Sequence, residues 1–384
     1  MPPDPADTLP ALSSPGTALK TDVVVIGAGQ AGLSAAYHLR QLGLAPGRGY
    51  VVLDASAAPG GAWQHRWPTL TLSTVNRIHD LPGLAFEQAL NEGPVETEAP
   101  DVLPATRVQA RVAVPRYFRA YEQQFRLPVY RPVKVNLVTS RGSRLRIETD
   151  RGAFSARGVI NATGTWDTPY VPVYPGADRF QGRQLHTHDY VGADEFAGQH
   201  VVVVGGGISA IQLLDEISRV SSTTWVTRRP PVFRNLPFGD AAGRQAVEAV
   251  EDRVRRGLTP TSVVGVTGLP LTPAVEEMRA RGVLERLPMF DEITGHGVRW
   301  NTGVEVHADA ILWCTGFRSS LDHLAPLALR EPEGGVVMTG RLATQVEKDP
   351  RIHLVGYGPS ASTIGANRAG RAAASELLKL LQLP

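Results

Sequence analysis

Two glycine-rich turns of the chain have the spacing that binds the pyrophosphate of a dinucleotide. The first contains Gly27, Gly29 and Gly32, between a β-branched run ending at Ile26 and a helical pattern beginning at Gln30. In this motif the first glycine allows the tight turn, the second lets pyrophosphate approach, and the third packs helix on strand. The N-terminus of the helix then binds the anion.

The residue that ends the next strand indicates which nucleotide this turn binds. Asp54 lies 22 residues after Gly32. A carboxylate at this place accepts hydrogen bonds from a ribose 2′-hydroxyl and would repel a 2′-phosphate. The first unit is therefore predicted to bind the ADP half of FAD.

The second turn has the same backbone pattern but a different charge at the end of its second strand. The turn and the start of its helix comprise Gly205, Gly207, Ser209 and Ala210. Alanine in the third position still allows helix and strand to pack closely. The next strand ends at Arg228 and Arg229, and guanidinium groups bind phosphate. This unit is predicted to bind NADPH, with Arg228 the better candidate, unless both arginines are merely solvated surface charges.

The elements that position these residues repeat along the chain. Strands at 22–26 and 50–53 flank a helix at 30–42, and the same order returns at 200–204, 208–220 and 224–227. Short β-like pieces between 128 and 156 predict a small antiparallel meander on the first domain. A helix is predicted at 239–256, strands at 304–317 and a long helix at 362–381. The fold class is α/β, with two Rossmann-like dinucleotide-binding domains.

Composition narrows the function classes. The 384 residues carry 39 basic and 37 acidic side chains, so no strong field favours nucleic acid or an anionic membrane. The single cysteine, Cys314, excludes a Cys-x-x-Cys redox pair within the chain, so redox chemistry must come from a cofactor. His186 and His188 lack a third ligand, and no metal site is predicted. With no leader pattern and no membrane span, a cytoplasmic protein is expected.

Three further motifs resemble those of one family. Gly60, Gly61 and Trp63 form the GGxW pattern, and residues 180–190 match FxGxxxHxxxY through Phe180, Gly182, His186 and Tyr190. Two strand-end turns, Thr163-Gly164 and Thr315-Gly316, are similar to the crossovers between the two domains of that family. On these motifs the chain, from about residue 20 onward, resembles the class B flavoprotein monooxygenases, in particular the flavin-containing monooxygenases.

The resemblance implies a domain order and further site residues. It implies a discontinuous FAD domain at 21–168 and 305–384 and an inserted NADPH domain at 169–304. The composition of residues 1–20, rich in Pro, Ala and Ser, predicts a disordered tail. Trp63 is expected to wall the flavin, and Asn76 to act as an active-site amide unless it only caps its loop. His186 is expected at the domain junction, catalytic or only structural. The remaining cofactor candidates are Val135 and the turn before the last helix, with Gly356, Gly358 and Ser360.

The implied activity is that of a monooxygenase. NADPH would reduce FAD, and one atom of O2 would reach a small organic substrate through a C4a-(hydro)peroxyflavin, the other leaving as water. The ending of the motif at Tyr190 favours N-, S- or C-hydroxylation over Baeyer-Villiger oxygenation. The alternatives are an NADPH-dependent flavin reductase or oxidase without oxygen insertion, and a non-catalytic redox sensor. A homodimer is possible.

Overall fold

The computed structural model describes residues 18–75, 78–92, 108–234, 240–261 and 268–383. Its helices are α1 (Gln30–Gln41), α2 (Phe86–Glu92), α3 (Ala110–Gln124), α4 (Ile208–Ile217), α5 (Asp240–Arg255), α6 (Pro273–Ala280) and α7 (Thr363–Leu381). Its strands are β1 (Leu19–Lys20), β2 (Val23–Ile26), β3 (Tyr50–Leu53), β4 (Val129–Tyr130), β5 (Val135–Arg141), β6 (Arg144–Thr149), β7 (Gly152–Ala156), β8 (Gly158–Asn161), β9 (Arg183–His186), β10 (His200–Val204), β11 (Ser222–Thr227), β12 (Phe233–Arg234), β13 (Leu269–Pro270), β14 (Arg286–Pro288), β15 (Glu292–Ile293), β16 (Gly297–Arg299), β17 (Glu305–His307), β18 (Ala310–Trp313), β19 (Met338–Thr339), β20 (Gln345–Val346) and β21 (Ile352–Leu354).

The larger sheet unites both ends of the chain. Its order is β19-β20-β21-β8-β2-β3-β4, and the strands from β21 to β4 are parallel. Strands β2, β3 and β8 are buried along their whole length, as expected for parallel strands covered on both faces. Helices α1 and α7 pack against each other beside this sheet. The fold is therefore α/β, with a discontinuous first dinucleotide-binding unit.

The second sheet has the order β14-β11-β10-β18-β9, and all its neighbours are parallel. It contains the second glycine turn between β10 and α4. Strand β18 pairs with β10 from Val201 to Val204, so this strand lies in the second sheet, whereas the expected domain order placed residues from 305 onward in the first unit. Sequence pattern alone does not show which sheet a buried apolar strand joins, and we propose that the chain returns to the first unit after Trp313.

The predicted meander is present as β5, β6 and β7, which pair antiparallel. The expected tail ends earlier than residue 20, because Leu19 and Lys20 form β1 and pair parallel with Phe154 and Ser155 of β7. The apolar side chain of Leu19 packs against the core under the meander, which explains the pairing. Residues 1–17 lie outside the described part. Within the described residues, no helix is long and apolar enough to cross a membrane.

Candidate active site

The first glycine turn presents an open, uncapped helix N-terminus. Gly29 is the N-cap of α1, no side chain caps the helix, and the first turn contains no acidic residue. A Cβ on Gly29 would meet nothing within 4 Å, whereas a Cβ on Gly32 would lie 1.9 Å from the carbonyl oxygen of Gly27. Free backbone N–H groups facing open space fit a pyrophosphate.

The second turn repeats this geometry at α4. Gly207 is the N-cap, again without a side-chain cap or an acidic residue in the first turn. A Cβ on Gly207 would also meet nothing within 4 Å. Ser209 and Ala210 lie in the first turn of the helix, where Ala210 is buried against the sheet. The second unit therefore offers a second anion-binding helix N-terminus.

Each glycine turn packs on the backbone that precedes a Thr-Gly turn. A Cβ on Gly27 would lie 2.6 Å from the carbonyl oxygen of Ala162, and one on Gly205 would lie 2.3 Å from that of Cys314. Both glycines also have positive φ, +98° and +145°, so no other residue fits at either place. Thr163 and Thr315 follow these carbonyls directly, which places one predicted crossover beside each phosphate turn.

The two crossovers are joined by hydrogen bonds on both sides. Thr163 Oγ1 donates to the carbonyl of Ser320 at 2.7 Å, and Ser320 N donates to the carbonyl of Gly164 at 3.1 Å. On the other side, Tyr170 N donates to the carbonyl of Gly316 at 3.0 Å, and Thr315 Oγ1 donates to the carbonyl of Tyr170. The two nucleotide units therefore meet where their Thr-Gly turns lie.

His186 is fixed at this junction by both ring nitrogens. Its Nδ1 accepts from the backbone N–H of His188 at 3.0 Å, so Nε2 carries the proton and donates to the carbonyl of Gly316 at 3.0 Å. Burial lowers its pKa, and the ring is neutral at pH 7. Because both nitrogens are occupied, the geometry supports the structural alternative for His186 rather than acid-base catalysis.

Tyr190, the last residue of the same motif, also links the two units. Its hydroxyl donates to Glu216 of α4 at 2.9 Å, and Thr69 donates to the same carboxylate oxygen at 2.7 Å. The Tyr190 ring meets Trp67 edge-on, with centroids 6.2 Å apart. The motif thus ties the segment after GGxW to the second sheet.

Asp54 lies at the end of β3, as predicted, but in a cluster that the sequence did not reveal. Arg131 donates to Asp54 Oδ2 from Nε at 3.2 Å and from Nη2 at 3.0 Å, and binds Glu122 at 2.6 Å. Ser56 N donates to Asp54 Oδ1 at 3.3 Å. A carboxylate has about four acceptor positions, so one remains for a ribose hydroxyl. The cluster contains two carboxyl groups and one guanidinium, and burial raises the pKa of Glu122.

The second unit has exposed arginines at the corresponding strand end. Arg228 and Arg229 follow β11 directly, and both are exposed. Among the described residues neither side chain forms an ion pair. Arg228 lies close enough to Tyr174 to oppose the rise that burial causes in the tyrosine's pKa. Both guanidinium groups are therefore available to an external phosphate.

The GGxW segment lies directly against the first phosphate turn. A Cβ on Gly61 would lie 3.1 Å from Cα of Gly29, and Gly60 is the N-cap of the 3-10 turn that contains Trp63. Trp63 packs against the apolar cores of both units. This places a flat apolar side chain between the two units, as a wall of the flavin site requires.

A cavity of about 450 Å³ opens beside this wall. Aromatic and charged side chains from 64–68, 166–167 and 188–191, together with Arg111, line it. Trp166 follows the first crossover and stacks on Phe317, which follows the second, with ring centroids 5.1 Å apart. The cavity therefore lies at the crossover of the two units, and its volume is that of a small-ligand site.

The remaining predicted residues have varied surroundings. Ser360 is held within its own turn, accepting from Tyr357 N at 3.2 Å and donating to its carbonyl at 2.8 Å. Gly356 and Gly358 precede α7, whose N-cap Ser362 accepts from Gly365 N at 3.1 Å. Val135 starts β5 and is half-buried. Asn76 lies outside the described residues.

Sequence reasoning missed Arg66, Trp166 and Arg131. Arg131 lies 77 positions from Asp54, so only the fold brings the two together. Arg66 carried a usable signal, since it is a charged residue between Trp63 and Trp67. Cys314, to which the sequence assigns no role, is buried, and burial raises the pKa of its thiol to about 12.

Two glycine turns that adjoin through paired crossovers are the arrangement expected of an oxidoreductase with two dinucleotide-binding units. The sequence profile of the pyridine nucleotide-disulphide oxidoreductases matches residues 24–237. A flavin-containing monooxygenase from Stenotrophomonas maltophilia is 37% identical, with a TM-score of 0.75 over 94% of this chain and 99% of its own.

Two further relatives carry monooxygenase names. Indole-3-pyruvate monooxygenase YUCCA1 of Oryza sativa is 28% identical over 78% of this chain and 77% of its own length. A Baeyer-Villiger monooxygenase of Streptomyces coelicolor is 30% identical over 62% of this chain and 44% of its own length. The chain belongs to the pyridine nucleotide-disulphide oxidoreductase family, in its branch of class B flavoprotein monooxygenases. It is an oxidoreductase of the flavin-dependent monooxygenase type, and flavin and nicotinamide cofactors follow from this membership.

Proposed function

We propose that the chain is an FAD-dependent, NADPH-consuming monooxygenase that transfers one oxygen atom from O2 to a small organic substrate. The observation that carries this proposal is the junction of the two units. In the first unit, the strand after the glycine turn leads into an acidic cluster around Asp54, which suits the ribose of FAD. In the second unit, the corresponding strand ends at exposed arginines, which suit a 2′-phosphate. Trp63 and Trp166 lie at the junction, where hydride transfer would take place.

The residues present fit both cofactors. Backbone N–H groups at the N-termini of α1 and α4 would hold the two pyrophosphates, and Arg228 would hold the 2′-phosphate of NADPH. When bound, the flavin accepts hydride and supplies the oxygen chemistry. With the cofactors bound, Trp63 and Trp166 would help to exclude water from the space between the units. His186 and Tyr190 hold the units together so that the two binding turns remain adjacent.

Oxygenation of nitrogen, sulfur or carbon is the first candidate reaction, because the motif ends at Tyr190. Baeyer-Villiger oxygenation is the second candidate, and the likeness to the Streptomyces coelicolor enzyme supports it. A reductase or oxidase that only passes electrons is the third. The single buried cysteine does not decide against the third candidate, because electrons could leave from the flavin directly.

Isotope labelling separates these candidates. Purified protein would be supplied with NADPH, ¹⁸O₂ and, separately, an aryl methyl thioether, a tertiary amine and a cyclic ketone. One ¹⁸O atom in a sulfoxide or N-oxide supports the first candidate, and one in a lactone supports the second. Peroxide equal to the NADPH consumed with every compound, together with rapid reduction of a quinone, would establish the third.

Asn76 remains a proposed active-site amide. Replacing it with alanine should divert NADPH oxidation to hydrogen peroxide while leaving flavin reduction intact, because the amide would act after hydride transfer. The ratio of oxygenated product to NADPH consumed measures this diversion. An unchanged ratio in Asn76→Ala would assign the residue to loop capping.

A further inference from the structure

Arg66 lies between two tryptophans at the junction of the units. It ends the 3-10 turn that contains Trp63. Its Cζ atom is 5.8 Å from the ring centroid of Trp63 and 4.7 Å from that of Trp166. The guanidinium is therefore held against aromatic rings on the wall of the cavity described above.

The described part of the chain supplies no counter-charge for this group. No carboxylate among the described residues forms an ion pair with Arg66, and its Nε is buried without a hydrogen-bond partner. By contrast, Arg131, whose side chain is mostly buried, forms ion pairs with two carboxylates. Burial lowers the pKa of Arg66 to about 10, so the side chain is still cationic at neutral pH. Cation–π attraction to the two indoles offsets only part of the cost of burying a charge.

The size and lining of the cavity beside Arg66 suit a small aromatic ligand. Trp67, Trp166 and Tyr190 line it with flat surfaces, and its volume is about 450 Å³. The other charged residues on its wall are Arg111, Asp167 and Asp189, and neither acid is within ion-pair distance of Arg66. A ligand that brings one negative charge would complete the environment of the guanidinium.

We propose that Arg66 binds the carboxylate of the organic substrate, and that the substrates are small aromatic carboxylates. This inference rests on the proposed function, because it takes the cavity at the crossover as the substrate site. The cofactor phosphates are provided for at the N-termini of α1 and α4. A single guanidinium matches a planar monoanion with two parallel hydrogen bonds, whereas a dianionic phosphate commonly needs several donors.

The test compares two ligands of similar shape and different charge. Binding of 4-(methylthio)benzoate and 4-(methylthio)benzamide to the oxidised, flavin-loaded protein would be measured by calorimetry. The wild type should bind the carboxylate at least tenfold more tightly than the amide. Arg66→Met, which keeps an apolar chain of similar length between the indoles, should abolish that preference. Arg66→Lys, which keeps the charge but not the planar fork, should retain part of it.

A matched control comes from the rim of the same cavity. Arg111 is exposed and its Nε donates to Gln109 at 3.0 Å. Arg111→Met should therefore leave the preference for the carboxylate within threefold of the wild type. The unfolding temperature of ligand-free Arg66→Met should equal or exceed that of the wild type, because a partly buried charge without an ion-pair partner among the described residues is removed. A purely structural arginine would give the opposite result.

Three outcomes would overturn the proposal. These are equal binding of both ligands by the wild type, no binding of the carboxylate, or equal weakening of both ligands in Arg66→Met. The last would assign Arg66 to the flavin rather than to the substrate, and a changed flavin reduction potential would then accompany it. The calorimetry needs neither NADPH nor O2, so a failure of the oxygen-insertion proposal in the labelling experiment is recognised separately.

Discussion

The two glycine turns of this protein have nearly the same backbone and opposite electrostatics. Gly29 and Gly207 are both N-cap residues of helices that no side chain caps, and a Cβ at either position would meet open space. The strand after the first turn ends in a buried carboxylate that Arg131 holds in place, and the strand after the second ends in exposed Arg228 and Arg229. Under the proposed function, the shared part would bind the pyrophosphate that all dinucleotides have, and the differing part would select between nucleotides.

The difference also shows which choice is rigid. Asp54 has a fixed orientation because three hydrogen bonds hold its carboxylate, so the first unit is built for one nucleotide. Arg228 has no such support among the described residues, so its side chain loses rotamer freedom when a phosphate binds. We infer a preorganised site for a permanently held cofactor and an adaptable one for a cofactor that is exchanged in each turnover.

The largest expected effect comes from placing a carboxylate in each turn. Gly29 and Gly207 have φ of −81° and −100°, so glutamate fits the backbone at both places. Gly29→Glu should abolish flavin retention, because its carboxylate occupies the place of the pyrophosphate beside the helix N-terminus. The Gly207→Glu variant should keep its yellow flavin, but NADPH should no longer reduce and bleach that flavin. The ratio of flavin to protein absorbance and the rate of anaerobic bleaching measure the two effects.

Gly192 provides the control for these substitutions. Its φ is −174° and a Cβ there would meet nothing within 4 Å. Gly192→Glu should therefore retain both the flavin and its reduction by NADPH. If Gly29→Glu kept its flavin, or if Gly207→Glu bleached at the wild-type rate, the assignment of that turn would be wrong.

The next effect concerns the cluster that holds Asp54. Burial raises the pKa of Glu122, and Arg131 opposes that rise. Arg131→Met leaves two largely buried carboxyl groups without their counter-charge and should lower the free energy of unfolding by about 3–5 kcal/mol. Urea unfolding of the flavin-free protein measures this loss. The double variant Arg131→Met, Glu122→Gln removes one of the charges and should recover part of it; no recovery would show that the loss comes from packing alone.

The structural features behind these two predictions differ in how well the sequence alone predicts them. The glycine turns are local, since strand, turn and helix are consecutive. The sequence predicted the bounds of β3 and β10 as the structure has them. The Asp54 cluster joins residues from β3, α3 and the end of β4, and no local pattern announces it. The sequence also does not show that Ala310–Trp313 pairs with β10, because that pairing joins residues far apart in the chain.

A smaller effect is expected at the second turn. Arg228→Ala should weaken the binding of NADPH by about 1–3 kcal/mol, the range for a charge-assisted hydrogen bond. The binding of NADH should weaken much less. The dissociation constants of both coenzymes, obtained from the rate of flavin reduction, measure this preference. Arg229→Ala is the matched control and should lose less. Equal weakening of NADPH and NADH in Arg228→Ala would show that this side chain does not contact the 2′-phosphate.

The smallest effect is a pH dependence at the first crossover. His323 Nε2 lies 2.7 Å from Asn161 Oδ1, and Asn161 Nδ2 donates to Thr163 at 3.0 Å. His323 is therefore a neutral donor that supports the first Thr-Gly turn. Burial lowers its pKa to about 4, against a slight opposing effect of Asp322.

The sign of this dependence follows from proton binding in the two states. An unfolded histidine has a pKa of about 6.5, so between about pH 6.5 and 4 the unfolded chain binds the extra proton and the native state does not. Stability is therefore complete above pH 6.5 and decreases as the pH falls, by about 1–2 kcal/mol at pH 5 for this residue. His323→Gln keeps an N–H donor without the titration, and its free energy of unfolding should change less between pH 7 and pH 5 than that of the wild type. His296 is exposed, and His296→Gln should keep the wild-type dependence. An identical pH dependence in His323→Gln and the wild type would show that His323 does not contribute.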